Sequence, residues 1–293
     1  MSDERLPSPR ARLAEVDVLR RGRAAPGRAP GAARDLVAVE EPLEIRVGGE
    51  TVGVLMRTPG DDEKLALGFL FAEGIITSAD DVAAVYHCGR PDDEGFGNLI
   101  EVAPSSSPKL DLSRLDGARR PFAASSACGV CGRQAVADLL CDLPRPEPGF
   151  TVLASELSAR IDRLRDNQPV FERTGGAHVA ALWGRDGALL AAHEDVGRHN
   201  AVDKVVGALL VAQVEARRAG EPVPGPGMLT VSSRAGVEIV QKAAKARIPV
   251  VATVSAPTSL AVELATQSGL TLAAFVRGTG MNVYAGKERI VDG

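Results

Sequence analysis

The segment Cys128-Gly129-Val130-Cys131 brings two thiols close together, with Gly132 and Arg133 following. Gly129 and Gly132 let the backbone bend so that the sulfurs stay exposed. A helix beginning after Gly132 would set its positive end beside Cys131, and Arg133 adds a full charge. Both effects favour thiolate over thiol, and the thiolate is the form that attacks a sulfur donor. The spacing leaves four readings open: a dithiol–disulfide pair, a structural zinc site, a buried inert pair and a persulfide carrier. The aromatic Cys-Gly-Pro-Cys context of thioredoxins is missing. A structural zinc needs about four ligands, and the sequence has no second C-x-x-C. Cys88 and Cys141 stand singly in apolar segments, as small core residues do. A persulfide carrier fits a mobile, low-pKa thiol that reversibly holds one extra sulfur.

His193-Glu194-Asp195-Val196-Gly197-Arg198-His199-Asn200 is a second polar cluster. It lies between a strand-like run and an amphipathic helix, where α/β proteins place ligands. It reads either as a site wall, with Arg198 and His199 facing anionic groups, or as a polar helix start with Asn200 near the cap. A zinc deaminase would need His-x-Glu upstream of Pro-Cys-x-x-Cys. Here His193-Glu194 is adjacent and downstream, so that reading is an alternative with wrong order and spacing.

Three strand-to-helix or strand-to-strand turns are the right size for phosphate. They are Val231-Ser232-Ser233-Arg234-Ala235-Gly236, Ser255-Ala256-Pro257-Thr258-Ser259 and Arg277-Gly278-Thr279-Gly280. Helix N-termini offer free N–H groups and a favourable dipole. Arg234 and Arg277 add bidentate charge. No single turn matches the Walker or Rossmann pattern; three in succession point to a nucleotide-bearing ligand.

The elements that must carry these residues follow from periodicity. Residues 1–34 hold scattered Arg, Ala, Pro and Gly and read as a disordered basic tail. Residues 35–125 read as a small α+β region. Its hairpin turns at Gly48-Gly49 between Leu43–Val47 and Val52–Met56. A helix carrying Leu65, Phe69, Ala72 and Ile76 on one face follows, then strands at Val82–His87 and Leu99–Val102. Residues 126–293 read as a larger α/β domain that begins with the cysteine loop. Short helices are expected near Val136–Leu140 and Ala154–Arg165, and strands at Ala177–Trp183 and Ala188–Ala192. The stripe Val202, Val205, Val206, Leu209 and Leu210 predicts a helix. Strands at Met228–Val231, Ile248–Val254 and Leu270–Val276 alternate with helices at Val237–Ala246 and Ser259–Gln267. That alternation predicts a parallel or mixed sheet with helices on both faces.

At 293 residues the chain can bury a sizeable core. Aromatics are 3% of residues and the net charge is −4, which argues against nucleic-acid binding. No apolar run is long enough to span a bilayer. No secretory h-region is visible, and Arg20-Arg21 is not followed by an apolar stretch. The expectation is a cytoplasmic protein without a membrane partner. Thiols stay reduced in that compartment, so a close cysteine pair there is catalytic or metal-binding.

Several long motifs in one order resemble the formate dehydrogenase accessory sulfurtransferase family, FdhD. They are Arg57-Thr58-Pro59-Gly60-Asp61, Gly68-Phe69-Leu70, Glu73-Gly74, Cys128 to Gly132, His193 to Lys204, Ser232-Ser233-Arg234, and Arg277-Gly278 through Asn282-Val283-Tyr284. The resemblance covers roughly Leu36 to Ile290. It implies a cytidine-deaminase-like larger domain without zinc ligation. It implies a sulfurtransferase in which a cysteine desulfurase loads Cys128 as a persulfide and Cys131 assists. The sulfur would pass to a molybdenum (or tungsten) cofactor bearing two pterin guanine dinucleotides, which then enters the formate dehydrogenase catalytic subunit. Phe275-Val276-Arg277-Gly278-Thr279-Gly280 matches the family's cofactor-binding segment, with Ser233 and Arg234 placed to hold a second phosphate. The resemblance also implies a homodimer. A chaperone that holds the cofactor without sulfur chemistry is the other class of function, and it has no need of an exposed thiolate.

Overall fold

The structure is a computed structural model that describes residues 11–21, 31–90, 93, 95–106 and 143–292. In chain order, β1 (Leu13–Arg20) and β2 (Gly31–Ala38) form an antiparallel hairpin. Next come β3 (Glu41–Val47), β4 (Glu50–Arg57), α1 (Asp62–Glu73), β5 (Val82–His87) and β6 (Leu99–Pro104). After residue 142 come β7 (Val152–Leu153), α2 (Ala154–Asp162), α3 (Pro169–Thr174), β8 (His178–Gly184) and β9 (Leu189–Asp195). The chain continues through α4 (Arg198–Ala219), β10 (Pro226–Val231), α5 (Val237–Lys245), β11 (Val250–Thr253) and α6 (Ser259–Ser268). It ends with β12 (Thr271–Arg277), β13 (Gly280–Ala285) and β14 (Ile290–Val291).

Two main sheets organise the molecule. The first has the order β4-β3-β6-β5 and the second β13-β12-β11-β10-β8-β9. The second is mixed: β10, β11 and β12 run parallel, while β8 and β13 pair antiparallel to their neighbours. Its strands are apolar on both faces, as sheets covered twice must be. Ala180, Leu182, Leu229, Val231, Val251 and Leu272 face α4, α5 and α6. Val179, Ala181, Trp183, Met228, Val250 and Ala273 face the side closed by Leu157 and Ile161 of α2. The expected mixed sheet with helices on both faces is therefore present.

The smaller sheet buries Leu43, Ile45, Val47, Ile100 and Val102 against Leu65, Leu67 and Leu70 of α1. Gly48 and Gly49 turn the β3–β4 hairpin with φ of 58° and 88°, a conformation that glycine adopts without strain. The two sheets are joined by α1 crossing α4. A Cβ on Gly68 would strike the Asp203 carbonyl oxygen, and one on Gly207 the Lys64 carbonyl oxygen. The two glycines permit a backbone approach no other residue allows.

The tail differs from the expectation of disorder through residue 34. Residues 13–20 and 31–38 are strands, because Glu15 and Asp17 alternate with Val16 and Val18 and pair with Arg34 across the hairpin. No residue of the hairpin's two strands is buried. Its base is held where Arg12 Nη2 donates to the Glu194 carbonyl at 3.0 Å. The helix expected near 136–140 lies outside the described residues.

Candidate functional site

The three turns singled out in the sequence meet on one sheet edge. They follow β10, β11 and β12, which run parallel and so end on the same side. Their backbones are knit together: Ala235 N–H donates to the Ala256 carbonyl at 3.1 Å, Thr258 N–H to Ala235 at 3.0 Å, and Phe275 N–H to Ser255 at 3.3 Å. Strand β8 runs the opposite way, so its start joins the rim. Ser232 N–H donates to the Val179 carbonyl at 3.0 Å, and Val179 N–H donates to Ser232 Oγ at 3.0 Å. The rim lies at the carboxyl ends of parallel strands, where open α/β sheets take ligands.

The side chains on the rim divide by role. Ser233 is buried, and its hydroxyl donates to the Arg234 carbonyl at 3.1 Å. Val276 is wholly in the core, so only its backbone can face a ligand. Arg234, Arg277, Gly278, Thr279 and Gly280 are exposed. Phe275 is 42% exposed and holds φ of 54°, a strained left-handed backbone for an aromatic residue. Gly278 makes the following turn with φ of 53°.

The segment from His193 to Lys204 is split between interior and rim. Asp195 and Lys204 are both fully buried, with Lys204 Nζ 2.8 Å from Asp195 Oδ2. Lys204 also donates to the Thr58 carbonyl at 3.0 Å. Asp195 accepts from Thr58 N–H at 3.2 Å, Gly197 N–H at 2.9 Å and Asn200 Nδ2 at 3.0 Å. The Asn200 amide donates to the Met56 carbonyl at 2.8 Å as well. Thus Asn200 is not a cap; it ties α4 to the end of β4. Glu194 faces the other way and accepts from Val170 and Phe171 N–H at the start of α3, at 2.8 and 2.9 Å. Arg57 is fully buried and forms a fork onto Asp62, at 2.9 and 3.0 Å. Asp61 has φ of 58° and makes no side-chain cap on α1. Its carboxylate lies 3.2 Å from His193 Nδ1, and that hydrogen bond first of all holds Asp61 far below the usual carboxylate range.

Arg198 and His199 are the residues of this segment that reach the rim. They open α4, a helix of 22 residues with no acidic residue in its first turn and no side-chain cap. Cationic side chains at the positive end of a helix oppose its dipole, so this corner favours an anion. The side chains of Arg198, Arg234 and Arg277 hold no ion pair or hydrogen bond among the described residues. Burial first, then the Arg198 charge, push the His199 imidazole down to about 4, and the same two causes lower His178. His199 Nε2 is out of contact with solvent and has no hydrogen-bond partner among the described residues. Glu238, on the first turn of α5, places Oε2 3.7 Å from it. His178 and Glu238 were not picked out from the sequence. Single residues of ordinary type carry no motif, and only the β8–β10 pairing and the two helix starts bring them to the rim.

Cys128 and Cys131 lie outside the described residues, as does Cys141. Cys88 is half-buried and in no disulfide. Among the described residues, no three His, Cys, Asp or Glu side chains converge as metal ligands, and no helix is long and apolar enough to cross a membrane. A shallow cavity of about 510 Å³ lies on the β1–β2 hairpin, lined by Asp17, Val18, Leu19 and Ala32–Arg34. It contains none of the candidate residues, and the knit rim carries the chemistry instead.

A mixed α/β molecule with an arginine-bearing rim at the ends of its parallel strands is the class that fold and site define. The profile of the FdhD/NarQ family matches residues 38–291, and the chain belongs to that family. A protein of Anaeromyxobacter dehalogenans named Sulfur carrier protein FdhD is 54% identical over 287 residues, covering 98% of this chain and 96% of that one. A protein of the same name from Mycobacterium tuberculosis is 48% identical over 267 residues, covering 87% and 92%. A crystal structure of a candidate formate dehydrogenase accessory protein from Desulfotalea psychrophila superposes with a TM-score of 0.68 at 26% identity, covering 95% and 98% of the two chains.

Proposed function

We propose that this protein is a cytoplasmic sulfur carrier serving formate dehydrogenase. The observation that carries the reading is the 54% identity, over 98% of the chain, to a protein named as a sulfur carrier. The Cys128 thiolate attacks the outer sulfur of a desulfurase persulfide. The new S–S bond forms on Cys128 as the desulfurase thiolate leaves. Cys131 assists by thiol exchange. The sulfur then passes to the molybdenum cofactor bearing two pterin guanine dinucleotides, and the sulfurated cofactor enters the dehydrogenase catalytic subunit. The larger sheet is read as a relative of the cytidine deaminases that works without zinc, and the chain as a homodimer.

The rim supports the cofactor half of this reading. Arg277 and Arg234, whose side chains have no partner among the described residues, offer planar guanidinium groups to phosphates. Gly278 and Gly280 let the backbone approach a ligand closely. The test is intact-protein mass after incubation with a cysteine desulfurase and cysteine. One added sulfur, mapped to Cys128 and absent from Cys128→Ala, is expected. Sulfur loading and restored dehydrogenase activity in Cys128→Ala would overturn the assignment, and a chain that never takes up sulfur would leave the cofactor-holding chaperone. Arg277→Ala should weaken GDP binding about tenfold while sulfur loading continues.

A further inference from the structure

We propose that His199 and Glu238 form a donor–acceptor pair that reads the 2-amino-4-oxo edge shared by guanine and pterin rings. The proposal rests on the reading of this rim as the cofactor site, and it concerns recognition of a ring rather than of phosphate.

The two side chains stand on the starts of α4 and α5, with Arg198 next to His199 in the chain. Neither forms a hydrogen bond among the described residues, and their nearest atoms are 3.7 Å apart. That distance is too long for a direct hydrogen bond. Burial and Arg198 keep the imidazole neutral, so no strong ion pair draws the two together. A neutral imidazole has one N–H to give, and a carboxylate can only accept. One unspent donor therefore sits beside one unspent acceptor. A buried polar atom left without a partner is costly unless something supplies one.

Guanine presents the complementary order: a carbonyl oxygen, then a ring N–H, then an amino group. Pterin repeats it. The carbonyl would accept from His199, and the ring N–H and amino group would donate to Glu238. Adenine carries an amino donor where guanine has its carbonyl, and would set donor against donor. The Glu238 side chain now lies over Gly236, where a Cβ would be 3.0 Å from Oε2. It is a third exposed and tied to His199 by no hydrogen bond, so it can turn outward to admit the ring.

The test is calorimetric titration of the full-length chain with GDP, IDP, ADP and 6-hydroxymethylpterin. Wild type, Glu238→Ala and His199→Ala are compared, with folding checked by thermal melts. Wild type should prefer GDP to ADP by about tenfold or more, with IDP, which lacks the amino group, between them. In either variant the GDP-to-ADP ratio should fall to within about twofold, with ADP binding unchanged. An unaltered ratio in folded Glu238→Ala overturns the proposal. Equal binding of GDP and ADP by wild type overturns it too, while leaving the rim as an anion site. Failure of wild type to bind any of the four ligands removes the cofactor reading itself. Weakening of the pterin together with GDP in the variants is expected, because the edge being read is the one that both rings share.

Discussion

Lys204 Nζ sits 2.8 Å from Asp195 Oδ2 with both side chains fully buried, and this pair links the two sheets. Lys204 also reaches the Thr58 carbonyl, and Asp195 takes the Thr58 N–H, so the turn after β4 is fixed to the start of α4. Removing one partner leaves an uncompensated buried charge, which costs far more than the pair contributes net. Lys204→Met should therefore lose about 3–5 kcal/mol of stability. The double variant Lys204→Met with Asp195→Asn should recover much of it. Urea unfolding followed by fluorescence of Trp183, which is buried and bonded to Thr230 Oγ1 at 2.9 Å, measures both. Equal losses in the single and double variants would show that the pair is not the source.

The crossing of α1 and α4 gives a second prediction. Gly68 faces the backbone of Asp203, and Gly207 faces that of Lys64. A Cβ at either position meets a carbonyl oxygen and not a flexible side chain, so the helices must part. Gly68→Ala and Gly207→Ala should each destabilise by about 1–3 kcal/mol, although alanine favours a helix more than glycine does. Thermal melting that rises in either variant would refute the close crossing.

The same two glycines show what the sequence discloses and what it withholds. Period-two and period-3.6 apolar patterns exposed the β3–β4 hairpin, α1, and the alternation from β8 to β12, because burial on a face leaves that trace. Gly68 lies within a motif, but nothing in one sequence says which chain it touches. Strand β13 was not expected, since its exposed residues Asn282, Val283 and Tyr284 show no alternation. The hairpin over 13–20 and 31–38 leaves little trace in the sequence, because its arginines and glycines obscure a short alternating run. The segment from His193 to Asn200 reads in sequence as a site wall or as a polar helix start. Strand alternation sends Glu194 to α3 and Asp195 to Lys204, leaving Arg198 and His199 for the rim. The cysteine loop was the clearest chemical signal and lies outside the described residues.

Stability should respond to pH through two opposed groups. His199 falls to about 4 in the folded chain from an ordinary value of 6.5. The unfolded chain then binds more protons between those values, so this residue makes stability fall as pH drops from 6.5 to about 4. Burial raises Asp203 to about 6 from 3.8, even with Lys242 at 2.6 Å. There the folded chain binds more protons, so stability falls as pH rises from 3.8 through about 6. The two slopes, each of up to about one proton, largely cancel between pH 4 and 6. His199→Gln should unmask the Asp203 slope, making the chain more stable at pH 4.5 than at pH 6 relative to wild type. Asp203→Asn should do the reverse. Melting temperatures across pH 4 to 7 decide it, and parallel profiles for all three proteins would show that neither group titrates as described.

Phe275 offers the sharpest separation of folding from function. The residue is 42% exposed, its backbone has φ of 54°, and the β12–β13 pairing shifts register around it. A left-handed aromatic residue costs roughly 1–2 kcal/mol relative to an ordinary conformation. Strain of that size persists where the surroundings enforce it, often at ligand sites. Replacing Phe275 with glycine relieves the strain, while lost ring contacts and the entropy of glycine, about 0.5–1 kcal/mol, act the other way. Folding stability should therefore change by less than about 1 kcal/mol. An exposed ring at the rim can stack on a planar base, a contact of roughly 1–3 kcal/mol. GDP affinity should then fall about tenfold in Phe275→Gly, with the melt nearly unchanged. Phe275→Tyr, which keeps the aromatic face, should restore binding. Unchanged affinity in Phe275→Gly would remove the ring from the site, and a collapse in stability would assign it to the fold instead.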